Sequence, residues 1–198
     1  MPIRRLAPDS FQPQLQDRGE ESEGPRLSAR VRFMPIPPYL RQLRRHVGHA
    51  MLMVPSVSAV IRDEAGRMLL GRRSDTGEWS LLAGIVDPGE QPADAVVREI
   101  REESAVEVRV DGVAGVALHP MTYPNGDECQ FLNVWFRCTA IGGEPRVNDG
   151  ELLEVRWFPA GALPKVDEWA RLRIDTALSG EPAAWFAGPG TRHPALGF

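Results

Sequence analysis

The chain has 198 residues, of which 42% are hydrophobic and 25% are charged, a composition typical of one globular domain with a short extension. Its formal net charge of −4 gives no global electrostatic case for DNA binding, and its longest apolar run, residues 50–61, is too short to span a membrane. The two cysteines, Cys129 and Cys138, are too far apart along one predicted strand to form a disulfide, and two reduced thiols favour the cytoplasm.

The two ends of the chain differ from its middle. Residues 1–33 are rich in Pro, Gln, Glu, Arg and Ser and have no hydrophobic period, so we expect a disordered extension. Residues 181–198 are rich in Gly and Pro, which predicts an irregular tail. The predicted folded domain therefore spans residues 34–180.

Hydrophobic periods of two kinds predict alternating strands and helices between these ends. In chain order they predict a helix over residues 39–47, strands over 52–62 and 67–72, a helix over 92–104, strands over 106–118, 129–141 and 154–158, and a helix over 166–178. The segment Pro124-Asn125-Gly126-Asp127 predicts a type I′ hairpin turn. Strands that flank a helix, with further helices at both ends, indicate a mixed α/β layered fold.

The first two predicted helices have contrasting surfaces. The helix over 39–47 carries three arginines on one side, Arg41, Arg44 and Arg45, which predict a solvated face or a surface for a partner or an anionic substrate. The helix over 92–104 has a predicted apolar stripe of Ala93, Val97 and Ile100.

Acidic residues are concentrated on the second predicted helix. Glu99 lies three residues from Glu102 and four from Glu103, which makes the three carboxylates neighbours on one face. Two carboxylates about 5 Å apart at an effective dielectric near 20 repel by roughly 3 kcal/mol. A bound divalent cation turns that repulsion into attraction, and ligands that are all oxygen select Mg²⁺ or Mn²⁺ over zinc.

These acids belong to a longer pattern, G-x5-E-x7-R-E-U-x-E-E, in which U is aliphatic. Its residues here are Gly84, Glu90, Arg98, Glu99, Ile100, Glu102 and Glu103. An acidic helix alone is usually a solvated face, but the full spacing is expected by chance only about once in 10⁴ to 10⁵ chains of this composition. Arg98 precedes Glu102 by one helical turn and can orient that carboxylate without competing for a metal.

With this spacing the sequence resembles the Nudix hydrolase family, whose box continues with x-G-U. Val106 matches the last position, Ala105 stands where the family usually has glycine, and Leu82 and Ala83 replace the usual Pro-Gly before the box. The resemblance covers roughly residues 52–160. It implies an α/β (α+β) fold, a Nudix-type α/β/α sandwich with a mixed sheet, in which the box forms a strand-loop-helix metal site.

The resemblance also implies a reaction, in which water attacks phosphorus in a nucleoside diphosphate linked to another group. The expected ligands of Mg²⁺ or Mn²⁺ are Glu99, Glu102, Glu103 and the carbonyl of Gly84. Glu90 and Arg98 are expected to complete the catalytic set.

A general base must lie within reach of the attacking water. The candidates are Glu102 or Glu103 in the box and Glu151 or Glu154 on a later loop, and we prefer the two box residues.

Four residues outside the box are candidates for substrate binding: Arg72, Arg73, Tyr123 and Trp135. The two arginines end a predicted strand, where they meet substrate phosphates or are simply solvated. Tyr123 and Trp135 stack a nucleobase or pack against a helix.

Several functions stay open at this point. The substrate is a nucleoside triphosphate, a nucleotide-sugar, ADP-ribose, a dinucleoside polyphosphate or a CDP-alcohol. The alternative is a non-catalytic Nudix-fold module that senses a nucleotide, which the intact acids disfavour, and RNA decapping is disfavoured by the acidic body of the chain. We expect a small-molecule nucleotide substrate, no DNA or membrane partner and, by resemblance, a homodimer.

Overall fold

The structure is a computed structural model that describes residues 37–123, 125–190 and 195. The predicted disordered extension, residues 1–33, lies outside the described residues. In chain order the elements are α1 (Pro38–Val47), β1 (Leu52–Arg62), β2 (Met68–Arg73), β3 (Trp79–Ser80), β4 (Leu82–Ile85), α2 (Pro92–Ser104), β5 (Glu107–Thr122), β6 (Glu128–Gly142), β7 (Leu152–Phe158), α3 (Glu168–Leu178) and β8 (Trp185–Phe186).

The described strands form one mixed sheet of eight strands. Its main path runs β3-β2-β1-β6-β5-β8, with β4 paired to β1 and β7 paired to β2. The two central strands, β1 and β6, are parallel, whereas β5 and β6 are antiparallel. The predicted mixed α/β fold is confirmed.

Side chains that alternate along β1 separate two cores. Val57 and Ile61 belong to the core that α2 covers, and Val60 belongs to the core that α3 covers. The sheet is therefore sandwiched between helices. The predicted apolar stripe of α2 is right at Ile100, which is buried, but wrong at Ala93, which is exposed. The helix instead turns residues 95 and 96 toward the sheet.

The hairpin between β5 and β6 differs from the predicted turn. The Tyr123 N–H donates to the Asp127 carbonyl at 2.9 Å, and the Gly126 N–H donates to the Tyr123 carbonyl at 2.9 Å. These bonds enclose a three-residue loop, in which Gly126 has a φ of 86°. The type I′ prediction was wrong because that turn requires a two-residue loop.

The predicted irregular tail contains a strand that the sequence analysis missed. Trp185 of β8 pairs in parallel with Gly115 of β5, and its ring lies 5.7 Å from that of Trp135. A Cβ on Gly115 would lie 2.2 Å from the Trp135 ring, so glycine is required for this close packing. Two paired residues are too few to produce a detectable hydrophobic period.

Helix α1 is fixed by one of its basic residues. Arg44 donates to the carbonyls of Ala50 at 2.6 Å and Glu128 at 2.7 Å, and its Nε lies 3.6 Å from the Asp127 carboxylate. Only 12% of the Arg44 side chain is exposed. Arg44 therefore joins α1 to the β5–β6 hairpin and is not part of a solvated face.

Two further features concern the cysteines and the length of the helices. Cys129 and Cys138 are both buried in β6 and neither forms a disulfide. No helix in the part of the chain that the structure describes is long and apolar enough to cross a bilayer.

The end of α2 places an alanine in a conformation that favours glycine. Ala105 has φ 58° and ψ 16°, and among the described residues it alone has a positive φ without being glycine. Its N–H donates to the Arg101 carbonyl at 2.9 Å, which closes the last turn of the helix. The backbone at this position therefore explains why glycine is usual there in the family that the sequence resembles.

We expect Ala105→Gly to raise the free energy of unfolding by about 0.5–1 kcal/mol, because it removes a Cβ from the left-handed region. The control is Ala160→Gly, in an exposed loop where the backbone has no positive φ. This variant should lower the free energy of unfolding, because the substitution increases the conformational freedom of the unfolded chain alone. Urea unfolding of both variants and the wild type measures the difference. Equal losses of stability in the two variants would contradict the strain assigned to Ala105.

Candidate functional site

The site is built on the segment that runs from β4 through a loop into α2. β4 pairs with β1, with Gly84 opposite Val57, and Pro92 begins α2 in the first turn. A Cβ on Gly84 would lie only 1.9 Å from the carboxyl carbon of Glu99. Glycine is therefore needed here because the Glu99 carboxylate lies directly against the strand.

Arg98 connects this loop to the helix. Its Nε and Nη2 donate to the two carboxylate oxygens of Glu90 at 2.9 and 2.8 Å, and Nη2 also donates to the Ile85 carbonyl at 3.1 Å. Its Nη1 donates to Glu99 at 2.9 Å and to Glu102 at 3.1 Å. The prediction that Arg98 orients Glu102 therefore understates its role, because the guanidinium holds three carboxylates.

The position of these acids relative to Arg98 divides them into two groups. The hydrogen bond from Arg98 holds the pKa of Glu90 below its usual value. Glu102 lies at the outer edge, with 56% of its side chain exposed. Burial raises the pKa of Glu99 in spite of Arg98. Of the three carboxylates that Arg98 holds, that of Glu99 is thus the one whose pKa is raised by burial.

Glu103 is the most enclosed acid of the site. It is 5% exposed, and its Oε2 is buried without a hydrogen-bond partner. Burial raises its pKa well above the usual value, and the negative charges of Glu99, Glu151 and Asp149 raise it further. We call these four residues, Glu99, Glu103, Asp149 and Glu151, the carboxylate cluster.

The loop before β7 brings the last two members of the carboxylate cluster to α2. The Asn148 N–H donates to the Glu103 carbonyl at 3.2 Å, which docks the loop on the end of the helix. The Glu151 N–H donates to Asp149 Oδ1 at 2.9 Å. Burial raises the pKa of Glu151 to about 7, and the charge of Asp149 adds to the rise. Asp149 was not predictable from the sequence, because no motif connects the helix to this loop.

The second loop candidate, Glu154, lies outside the cluster. It forms an ion pair with Arg156, and its carboxylate is 4.0 Å from Arg72. Arg72 lies directly opposite Glu154 in the pairing of β2 with β7. Arg156 lies on β7 itself, two residues after Glu154. Glu151 and Glu154 therefore have distinct environments, although both follow the box.

The two arginines at the end of β2 also differ from each other. Arg72 donates to the Gly77 carbonyl at 3.2 Å and is part of the pair with Glu154. Arg73 donates to both oxygens of Asp75 at 2.9 and 2.5 Å, and its positive charge acts on Glu103. Arg73 is thus the arginine beside the carboxylate cluster.

Of the two aromatic candidates, only Tyr123 is near Arg73, and it packs against the buried side chains of Leu40 and Val54. Tyr123 is half-buried, and the charge of Arg73 acts on its hydroxyl. Trp135 is 0% exposed, and its Nε1 donates to Thr176 at 3.1 Å. Trp135 is therefore not a substrate-binding residue: of its two predicted alternatives, packing against a helix is right, because α3 and β8 cover that face of β6.

The donors of this site are suited to a hard cation, although the side chains do not converge fully. Within the described residues no three His, Cys, Asp or Glu side chains meet in metal-binding geometry. The carboxylates of Glu99 and Glu102 are instead paired with Arg98, at 2.9 and 3.1 Å. The buried Glu103 oxygen without a partner and the all-oxygen donors fit Mg²⁺ or Mn²⁺.

Comparisons with known proteins agree with this geometry. The profile of the NUDIX domain matches residues 52–176, more than half of the chain. A MutT-like protein of Streptomyces ambofaciens is 34% identical over 138 residues, which cover 69% of this chain and 80% of that protein. The crystal structure of a MutT NUDIX hydrolase from Burkholderia pseudomallei, 28% identical, superposes with a TM-score of 0.55 over 63% of this chain and 98% of its own.

A second group of relatives is longer than this chain. The NAD-capped RNA hydrolase NudC of Pseudomonas putida is 36% identical over 107 residues, which cover 53% of this chain. The chain spans only 36% of that relative's length. Since the domain profile covers β1 to α3 and includes the whole strand-loop-helix segment, this chain belongs to the Nudix hydrolase family.

Proposed function

We propose that this chain is an Mg²⁺- or Mn²⁺-dependent pyrophosphohydrolase that cleaves the pyrophosphate bond of a nucleoside diphosphate linked to another group. The observation that supports it best is the carboxylate cluster, in which a buried oxygen of Glu103 has no partner. Hydrolases of the Nudix family generally use divalent metal ions. Such an ion, when bound, neutralises phosphate oxygens and lowers the pKa of bound water.

The ligands that we propose for the ion come from two elements. They are the carboxylates of Glu99, Glu102 and Glu103 on α2 and the main-chain carbonyl of Gly84 on β4. Arg98 acts as a positioning residue, because it fixes Glu90 and the loop while it neutralises part of the acidic charge.

We assign the general base to Glu151. The burial and negative neighbours of Glu151 favour a carboxyl group that takes up a proton readily. The box residues Glu102 and Glu103 were preferred from the sequence, but Glu103 is more enclosed than Glu151 and is better suited to hold the cation. Glu154 is engaged by two arginines and is left without a role in the chemistry.

The substrate side of the site is assigned to Arg73 and Tyr123. Arg73 is oriented by Asp75 and is placed beside the acids, where a guanidinium binds phosphate oxygens. Tyr123 is half-buried next to it and supplies an aromatic surface for the nucleoside. The substrate class is a nucleotide with a pyrophosphate linkage. Because relatives include NAD-capped RNA hydrolases, NAD and NAD-capped RNA belong in a substrate panel.

A non-catalytic nucleotide-sensing module is the alternative. A protein of that kind needs nucleotide binding but no cluster of crowded carboxylates. The energetic cost of burying Glu103 next to other acids favours the enzyme, because a function that only binds nucleotide gives no reason to keep it.

We expect Glu103→Gln and Glu151→Gln to lower turnover by about 10² to 10⁴ each, because one removes a ligand charge and the other the base. Glu154→Gln is the matched control and should retain turnover within about threefold. The measurement is nucleotide release with Mg²⁺ or Mn²⁺ from nucleoside triphosphates, ADP-ribose, dinucleoside polyphosphates, CDP-choline, NAD and NAD-capped RNA.

Thermal unfolding of the same variants separates chemistry from folding. Glu103→Gln should not lower the melting temperature, since it replaces a buried carboxylate by a neutral amide of the same shape. Full turnover in Glu151→Gln would eliminate that residue as the base. A wild-type protein that binds members of the panel but cleaves none would favour the sensing module.

Gly84→Ala should weaken Mn²⁺ binding by about tenfold or more, because the new Cβ would occupy the position of the Glu99 carboxylate. The control is Gly112→Ala, where a Cβ meets no atom within 4 Å. Titration calorimetry with Mn²⁺ measures both affinities. Unchanged affinity in Gly84→Ala would show that Glu99 is not a ligand in its position against β4.

A further inference from the structure

Arg173, in the second turn of α3, is a buried cation for which the described residues provide no anionic partner. It is 7% exposed, and its Nε has no hydrogen-bond partner. In the ranges that the structure describes, no carboxylate lies within ion-pair distance of its guanidinium. Burial lowers the pKa of Arg173 to about 10, against a smaller opposite effect from Asp167.

Asp167, the described acid whose charge acts on Arg173, is already used elsewhere. Asp167 is the N-cap of α3, and its side chain accepts a hydrogen bond from the Ala170 N–H at 2.6 Å. It stabilises the start of the helix. Asp167 is therefore not available as a close counter-ion for the guanidinium.

Two aromatic residues that the structure describes, Trp169 and His119, lie near Arg173. Its Cζ lies 4.6 Å from the centroid of the Trp169 ring, and Trp169 stacks on His119 with centroids 4.2 Å apart and planes 18° apart. Burial lowers the pKa of His119 to about 4, and the charge of Arg173 lowers it further. His119 is neutral at pH 7, so these surroundings orient the guanidinium without neutralising it.

Other arginines of this chain show the usual arrangement. Arg98 is partly buried and holds three carboxylates, and Arg171, on the same helix as Arg173, is 61% exposed and pairs with Asp175 at 2.9 Å. Buried charges in proteins are normally paired, because leaving water without a counter-charge is unfavourable. The exception at Arg173 indicates a counter-charge that is not part of the described chain.

We propose that Arg173, Trp169 and His119 form an oxyanion-binding site that takes the phosphoryl or carboxylate group of a small molecule. The guanidinium fork binds two oxygens side by side, and the Trp169 ring holds its plane. Arg173 and Trp169 lie on α3, which packs against a different core from α2, the helix that carries Glu99 and Glu103. The site is thus separate from the carboxylate cluster, and it does not depend on the proposed hydrolysis.

The test is the thermal unfolding of the full chain at pH 7.5 with increasing sodium phosphate or sodium acetate at constant ionic strength. EDTA is present throughout, so that no divalent ion can recruit phosphate to the carboxylate cluster. The variants are Arg173→Met, which keeps an apolar stem, and Arg171→Met, which removes the same charge from the exposed, paired position on the same helix.

We expect the wild type and Arg171→Met to show a saturable rise in melting temperature with at least one of the two anions. Arg173→Met should bind about tenfold more weakly or worse, because it loses charge-assisted hydrogen bonds. Without the anion, Arg173→Met should be at least as stable as the wild type, because it removes an unpaired buried charge. Response to phosphate alone identifies a phosphoryl ligand, and response to both identifies a general oxyanion site.

Three results would overturn the proposal: no response of the wild type to either anion, an equal response in Arg173→Met, or a large loss of stability in Arg173→Met without anion. If that variant does not fold, the assigned Nε–H resonance of Arg173 in the wild-type protein provides the answer. The resonance should shift on anion addition, and a resonance that does not move would contradict the site.

Discussion

The carboxylate of Glu103 is buried beside Glu99, Asp149 and Glu151, and one of its oxygens has no hydrogen-bond partner. Such an arrangement is unfavourable on its own, because like charges repel strongly where water is excluded. Arg98 compensates the neighbouring acids on one side only, since its donors are directed at Glu90, Glu99 and Glu102. We propose that a divalent cation beside Glu103 supplies the counter-charge to this arrangement.

The fold supplies this arrangement from three directions. The strand-loop-helix segment provides Glu99 and Glu103, and Gly84 gives the Glu99 carboxylate room against β4. The loop before β7 docks on the end of α2 and carries Glu151 to it. The end of β2 adds Arg73, held by Asp75. Rigid elements thus bring together charges that would separate in a flexible chain.

The local part of this site was predictable from the sequence. Pro92 and the hydrophobic period defined α2 to the residue, and the spacing of the box acids placed them on one face. Ala105 fits the same pattern, because its left-handed backbone is the one that the glycine of the box would adopt. These features depend on neighbours within a few residues, which a single sequence contains.

The tertiary part was not predictable in the same way. Trp135 was assigned to a substrate surface because a strand pattern does not reveal which face a later helix and β8 will cover. The choice between Glu151 and Glu154 depends on how the loop before β7 docks, which no local pattern encodes. The buried Arg173 was not noticed, since the burial of a side chain without a partner among the described residues is a property of the packed structure alone.

The central claim is tested most directly by anomalous diffraction from crystals of this chain grown with Mn²⁺. The account predicts an anomalous peak about 2.0–2.4 Å from carboxylate oxygens of Glu99 and Glu103, with Glu99 turned away from Arg98. Crystals that show no peak there, with Glu103 still enclosed among the other acids, would contradict it.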